Sequence, residues 1–223
     1  MTKKSKRFFS LCLLAILCLS TTGIVASAAE NKAVPKYTVV EEFIGKSGII
    51  DAMYVPQKDD TIDKEAYGRA MDKLLNRNTT VGAKVGGTYN ISDKDSLTHN
   101  GYELYSKFSS TIEWDLIQSS KVSGSSRASW TGINPFNADK ITLTDKITFA
   151  GIVVSVSASG PNWSTTMQSA TWTASQDNQW QIDHIYSDIT CVGYDIYIKQ
   201  VTTGDFKFGT TYYTTSAIDS QWL

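Results

Sequence analysis

Residues 141–158 read ITLTDKITFAGIVVSVSA, and the period of that stretch decides the fold. Ile141 and Leu143 alternate with Thr142 and Thr144. Ile147 and Phe149 flank Thr148, and Ile152, Val154, Val156 and Ala158 alternate with Val153, Ser155 and Ser157. A period of two puts successive side chains on opposite faces of a pleated strand. The stretch therefore predicts half-buried β-structure with Ile141, Leu143, Ile147, Phe149, Ile152, Val154 and Val156 inward. On that reading, a carboxylate in place of Val154 unfolds the domain.

Downstream, runs at 164–173, 179–191, 194–202 and 205–215 are rich in Thr, Tyr, Ile, Val and Trp, the types that fit a pleated surface. Turn signals separate them at Asn134-Pro135 with Asn137, Ser159-Gly160-Pro161-Asn162, Gln176-Asp177-Asn178 and Thr203-Gly204-Asp205. Upstream strands are expected within 82–91, 101–117 and 120–131, where Tyr102, Leu104, Phe108, Ile112, Trp114, Ile117 and Trp130 supply apolar surface. Parallel pairing needs crossovers for which this stretch has no room. One open sheet cannot bury so many apolar faces. The sequence predicts a mainly β chain built as an antiparallel two-layer β-sandwich, with a barrel as the alternative.

One helix is legible, over 61–77. Ile62, Ala66, Tyr67, Ala70, Met71, Leu74 and Leu75 recur at spacings of three and four, with charged residues between them. Asp60 or Thr61 is the expected cap, Arg77 suits the C-terminal dipole, and Gly68 weakens the helix by about 1 kcal/mol relative to Ala. The mixed signs of its polar face suit a helix packed on a sheet, not one lying on a membrane. Residues 30–60 suit a strand or two embedded in loop, or a pro-region. The expected organisation is 1–29 leader, 30–80 N-terminal segment with the helix, and 81–223 antiparallel β-domain.

The leader reading rests on Lys3, Lys4, Lys6 and Arg7, the apolar run from Phe8 to Leu19 and the small residues Ala26-Ser27-Ala28-Ala29. That order is a secretory signal, too short for an ordinary membrane span of roughly 20 apolar residues. Cys12 and Cys18 each follow Leu, where a lipoprotein site has a small residue, so both read as apolar filler. Removing residues 1–29 from the 223 leaves 194, enough for one sizeable domain, and leaves Cys191 without a partner for a disulfide. The Lys-rich leader on a cysteine-poor chain resembles a Gram-positive bacterial product. Lys and Arg number 21 against 22 Asp and Glu; the leader removes four bases and no acid, so the charge moves from −1 to −5. A mild, interspersed acid excess argues against nucleic acid or an anionic membrane as the main partner, and with no second long apolar run no stable membrane anchor is expected. It does not fix an oligomeric state.

Chemical motifs are sparse. Asp183, His184 and Asp188, with a serine from 123–129, form a conceivable triad, but Ser123-Gly124-Ser125-Ser126 is not a nucleophile elbow, and His184 alternates with Trp180, Ile182 and Tyr186 as a sheet residue does. Asp93, Asp95 and Ser96 are a possible calcium turn without the glycine and distal glutamate of an EF-hand. Gly82, Gly86 and Gly87 match no phosphate cradle, so neither cofactor nor metal is expected. Cys191 has no basic neighbour in sequence and reads as a small buried residue. A membrane-inserting hairpin over 147–173 lacks a second strand with one continuous apolar face.

Aromatics are left. Trp163, Trp172, Trp180, Tyr194, Tyr197, Tyr212 and Tyr213 crowd the last third of the chain. Trp163, beside the 160–162 turn, is the expected exposed binding residue, with Tyr212 or Tyr213. By elimination, the expected role is an exported, non-enzymatic binder of a cell-surface, matrix or protein partner. A toxin acting on another cell's envelope comes second and an extracellular hydrolase third. Sequencing the N-terminus of protein recovered outside the cell should give Ala29 or Glu30; a membrane-retained product beginning at Cys18 would contradict the leader reading.

Overall fold

A computed structural model describes residues 36–45, 48–58, 62–77, 86–115, 119–133 and 137–223. The leader 1–29 with Cys12 and Cys18, Asp60, Thr61, Gly82, Ile117 and the Asn134-Pro135 turn lie outside the described residues. The alternating segments form β1 (Tyr37–Gly45), β2 (Gly48–Pro56), β3 (Gly86–His99), β4 (Tyr102–Asp115), β5 (Ser119–Trp130), β6 (Ala138–Ser157), β7 (Trp163–Thr165), β8 (Ser169–Gln179), β9 (Gln181–Phe208) and β10 (Thr211–Trp222). One helix, α1, spans Lys64–Arg77. The described strands pair antiparallel in the order β3-β4-β5-β9-β6-β8-β7, with β10 on β9 and β2 joining β1 to β9. This sheet does not close into the alternative barrel.

β9 is the common member. Its 28 residues pair with β5 over 181–192, with β2 over 183–186, with β6 over 190–207 and with β10 over 197–208. Asp188 and Asp195 sit at φ 57° and 50°, beside the register shifts in β5 and β6, so β9 bends twice and serves different neighbours along its length. The Thr203-Gly204-Asp205 signal, expected to be a turn, lies inside β9. Gly204 is there because a Cβ would come within 3.0 Å of Phe206 and 3.1 Å of Ala128. The chain reverses instead after Phe208, with Gly209 at φ 59°.

Two long edges protect each other. The Asp93 and Asp95 carboxylates on β3 accept hydrogen bonds from the backbone N–H groups of Ile218 and Ser216 on β10, both at 2.7 Å. Asp219 on β10 accepts from Ser92 N–H at 3.0 Å. These carboxylates occupy unpaired backbone donors, which makes them edge caps and not a calcium turn.

The core draws on both ends of the strand order. Phe108, Ile112 and Val122 of β4 and β5 cluster with Ile147, Phe149, Ile189 and Ile198. Leu104, Ala128 and Trp130 cluster with Ile141, Leu143, Trp172, Ile182 and Phe206. Tyr67, Met71 and Leu75 of α1 meet Ala52, Tyr54, Trp180 and Ile185 in a third group. The helix cap is Asp63, whose Oδ1 accepts from the N–H groups of Glu65 and Ala66, where Asp60 or Thr61 was expected.

Ile141, Leu143, Ile147 and Phe149 are fully buried, but the parity rule fails beyond Ala150. Ile152 and Val154 are 66% and 61% exposed, while Val153, Val156 and Ala158 pack on the core. Register shifts between Ala150 and Ile152 and between Val153 and Ser155 interrupt the alternation, and β6 has by then outrun β8. The expected effect of Val154→Asp is therefore corrected. Val154→Asp should stay folded within about 1 kcal/mol of the parent. Leu143→Asp should abolish cooperative folding, since an unpaired buried carboxylate costs several kcal/mol against a total of roughly 5–15. Urea melts followed by tryptophan fluorescence check both, and an unfolded Val154→Asp would return that side chain to the core.

Candidate functional site

Alternation along β9 sends Asp183 and His184 to opposite faces, so the imagined triad is never assembled. Asp188 instead pairs with Lys121 at 3.0 Å. His184 is fully buried, with Nδ1 2.6 Å from Asp145 on β6 and Nε2 2.7 Å from Asp51 on β2. Facing a carboxylate with each nitrogen, the ring is an imidazolium that donates twice. Trp172 stacks on it at 3.6 Å with planes 6° apart, a face-on contact suited to a cation. Thr202 donates to the other Asp145 oxygen at 2.6 Å, and Ser126 donates to the one that also accepts from His184, at 2.5 Å. Ser126 thus bonds the carboxylate, and the imidazolium has no lone pair to take a serine proton. The cluster cannot work as a nucleophilic triad.

On the other face, buried Arg127 donates through Nε to Asp183 at 2.5 Å and through Nη1 lies 3.0 Å from Asp72 of α1. Burial opposes its charge, but Asp183 outweighs that and raises its pKa. Lys107 shares Asp72 at 2.9 Å. The open groove of about 450 Å³ above these residues is therefore lined by cations already paired with carboxylates. Lys64 is held without a carboxylate. It donates to Gly132 O and lies 5.3 Å and 5.0 Å from the Trp130 and Trp180 ring centres, and burial lowers its pKa to about 8. These contacts clamp α1 onto the sheet.

A different environment forms beside two chain reversals. Asn100-Gly101, at φ 51° and 79°, turns β3 into β4, and Gly209 turns β9 into β10; Thr131–Ile133, which follow β5, and Asn137, which precedes β6, lie beside them. Between them lies a cavity of about 470 Å³ with rings from His99, Tyr102, Trp130 and Phe208 in its lining. Trp130 meets Phe208 edge-on at 4.8 Å and Tyr102 at 6.4 Å, and His99 tilts onto Phe208 at 4.8 Å. Gly132 lies flat on Trp130: a Cβ there would approach the indole to 2.0 Å, so the indole position is fixed by backbone. Ile133, 61% exposed, stands at the margin, and Asn100, Asn137 and Asp139 add polar groups.

Two buried polar atoms in this lining have no protein partner among the described residues, the Trp130 indole N–H and the Asn137 side-chain oxygen. The Asn137 amide nitrogen donates to the Asn178 carbonyl at 3.1 Å, which fixes the other atom as the acceptor. Both atoms are shielded from solvent, as are the similarly unpartnered Tyr67 hydroxyl and the Trp114 and Trp163 indole N–H groups elsewhere in the fold.

Of the sequence-predicted residues, Trp163 is not the exposed ring expected. It is half-buried between two core clusters, with its ring 5.9 Å from His184 and 6.0 Å from Tyr186. Tyr212 is 64% exposed and lies under Lys207. Tyr213 stacks behind the cavity, 4.4 Å from His99 and 6.1 Å from Phe208. The reading missed His99, Tyr102, Trp130 and Phe208 as a set. The Asn-Gly dipeptide at 100–101 between alternating segments is a strong hairpin signal and could have brought His99 to Tyr102. Cys191 is buried, and desolvation pushes its thiol up to about 11, leaving it inert. No protein-family model, curated protein or solved structure matches the chain.

The buried imidazolium sets a pH dependence. Burial pulls the His184 pKa down, but hydrogen bonds and charge from Asp145 and Asp51 outweigh it, so the folded pKa lies above the ordinary 6.5. The resulting stabilisation is complete below about 6.5 and is lost as pH rises through the folded value. His184→Gln should cost about 3–5 kcal/mol at pH 6, because it leaves two buried carboxylates uncompensated. That deficit should shrink as pH is raised. Lys64, whose lowered pKa acts in the opposite sense, cancels in the difference. Urea midpoints of both proteins across pH measure it, and a deficit that grows with pH would contradict the imidazolium.

Proposed function

We propose that the protein is an exported, non-enzymatic β-sandwich that binds a cell-surface, matrix or protein partner in the loop-end cavity. Export rests on the N-terminal leader pattern. No helix among the described residues is long and apolar enough to cross a membrane. The two-layer arrangement is supported by core clusters in which side chains of β3, β4 and β5 meet those of β6, β8 and β10.

The observation that carries the binding role is the ring-lined cavity at the strand ends, where the Gly132 backbone fixes the Trp130 indole. Loops on a rigid scaffold are where binding residues concentrate, and small-molecule sites combine apolar walls with a few convergent polar groups. His184, Arg127 and their partners serve the scaffold beneath it.

A toxin acting on another cell's envelope is the second reading, favoured by the exposed Ile152 and Val154 toward the end of β6 and 50%-exposed Tyr194 opposite them in the middle of β9. Against it, Ile147 and Phe149 of the same strand lie buried between β8 and β9, so insertion would dismantle the core. Retention of the protein on isolated cell walls, matrix and envelope fractions tests the first reading. Ile133→Arg, which places a charge at the cavity margin without disturbing a buried residue, should reduce retention at least tenfold with an unchanged melting temperature. Undiminished retention of the variant would remove the cavity from the account, and dye release from liposomes by the parent would favour the toxin.

A further inference from the structure

We infer that Lys64 is a covalent binding site, whose Nζ condenses with a small-molecule aldehyde in the open groove between α1 and strands β3–β5. The site is separate from the loop-end cavity. Every other cation lining this groove meets a carboxylate. Arg69 pairs with Glu65 at 3.5 Å, and Lys94, which also lies over Tyr105, pairs with Glu103 at 2.6 Å. Lys107 and Arg127 share Asp72 at 2.9 and 3.0 Å, and Arg127 also holds Asp183. Lys64 has no carboxylate partner among the described residues. The neighbouring acid, Asp63, is turned to the N–H groups of Glu65 and Ala66. Lys64 Nζ donates instead to Gly132 O and lies 5.3 Å and 5.0 Å from the ring centres of Trp130 and Trp180, which themselves line the groove.

These surroundings disfavour the charged form. Burial lowers the Lys64 pKa to about 8. The residue also opens α1, at the positive end of the helix dipole, where a cation is opposed. At pH 8 roughly half of this amine is unprotonated, against under about 1% for a lysine of ordinary pKa. A desolvated, unprotonated lysine is a nucleophile toward carbonyl carbon. Nζ adds to the aldehyde carbon, and the carbonyl oxygen then leaves as water with both amine hydrogens, so a C=N bond replaces C=O. The step needs no oxidant, reductant or activated leaving group, whereas acylation would need a leaving group on the donor. The groove, of about 450 Å³, is within the size range of small-ligand sites.

The test is site-resolved labelling of the folded protein with pyridoxal 5′-phosphate, a ring aldehyde, trapped by borohydride and mapped by peptide mass spectrometry. At pH 8 Lys64 should be labelled at least tenfold faster than any other lysine. Its rate should rise with a midpoint near about pH 8 and saturate with aldehyde concentration. Pyridoxine 5′-phosphate, which lacks the carbonyl, should compete. Lys64→Arg, which keeps the charge and the reach, should remove the label with an unchanged melting temperature; should that variant not fold, the map of the parent protein decides alone. Labelling spread evenly over the lysines, or a Lys64 rate that rises only above about pH 10, would overturn the reactive amine. A Lys64 rate linear in aldehyde, with no competition, would overturn the groove as a binding site. Neither result bears on the loop-end cavity, whose retention assay involves no aldehyde.

Discussion

A charged histidine held between two carboxylates is the interaction on which the rest of the structure depends. Asp51, His184 and Asp145 come from β2, β9 and β6, so one imidazolium joins three strands, of which β2 pairs with β9 over only 183–186. Its surroundings are complete. Trp172 covers one face, and Thr202 and Ser126 fill the remaining positions on Asp145. Tyr186, Ser110 and Gln200 extend the buried hydrogen-bonded chain alongside. Such a network tolerates one geometry, because any slip of register leaves a charge unpaired in a low-dielectric interior. It therefore favours conformational uniqueness over flexibility.

β9 connects that centre to the rest of the sheet. A strand bent at Asp188 and Asp195 can pair with four neighbours, and its last residue, Phe208, with the ends of β3 and β5 and the starts of β4 and β6, lines the loop-end cavity. The mutual capping of β3 and β10 by Asp93, Asp95 and Asp219 keeps the long edges from recruiting other strands. Ring positions at the cavity are likewise fixed by backbone, through Gly132 under Trp130. A preorganised pocket of this kind loses little conformational entropy on binding a partner.

Much of the fold was legible because it follows from local period. Ile141, Leu143, Ile147 and Phe149 lie where alternation puts them, and the helix was read to within a few residues. What failed did so for non-local reasons. Bulges beyond Ala150 break parity, and Gly151, at φ 113° within the first of them, was the one local sign in the sequence. Gly204 resembles a turn until Phe206 and Ala128 are seen packed above it. Trp163 resembles an exposed turn residue until two clusters close around it. The cavity was illegible for the same reason. His99, Trp130 and Phe208 lie far apart in sequence and meet only through the strand order, although Asn100-Gly101 marked one of its two reversals.

The central claim is that a stiff sheet presents its binding surface at the loop end. Hydrogen–deuterium exchange of the protein, free and bound to the cell-surface fraction that retains it, addresses this directly. Protection on binding should be confined to the amides around Asn100-Gly101, 131–133 and Gly209-Thr210, with the amides of β9 around His184 slow in both states. Protection centred instead on Ile152 and Val154 toward the end of β6, with Tyr194 opposite them in β9, would contradict it.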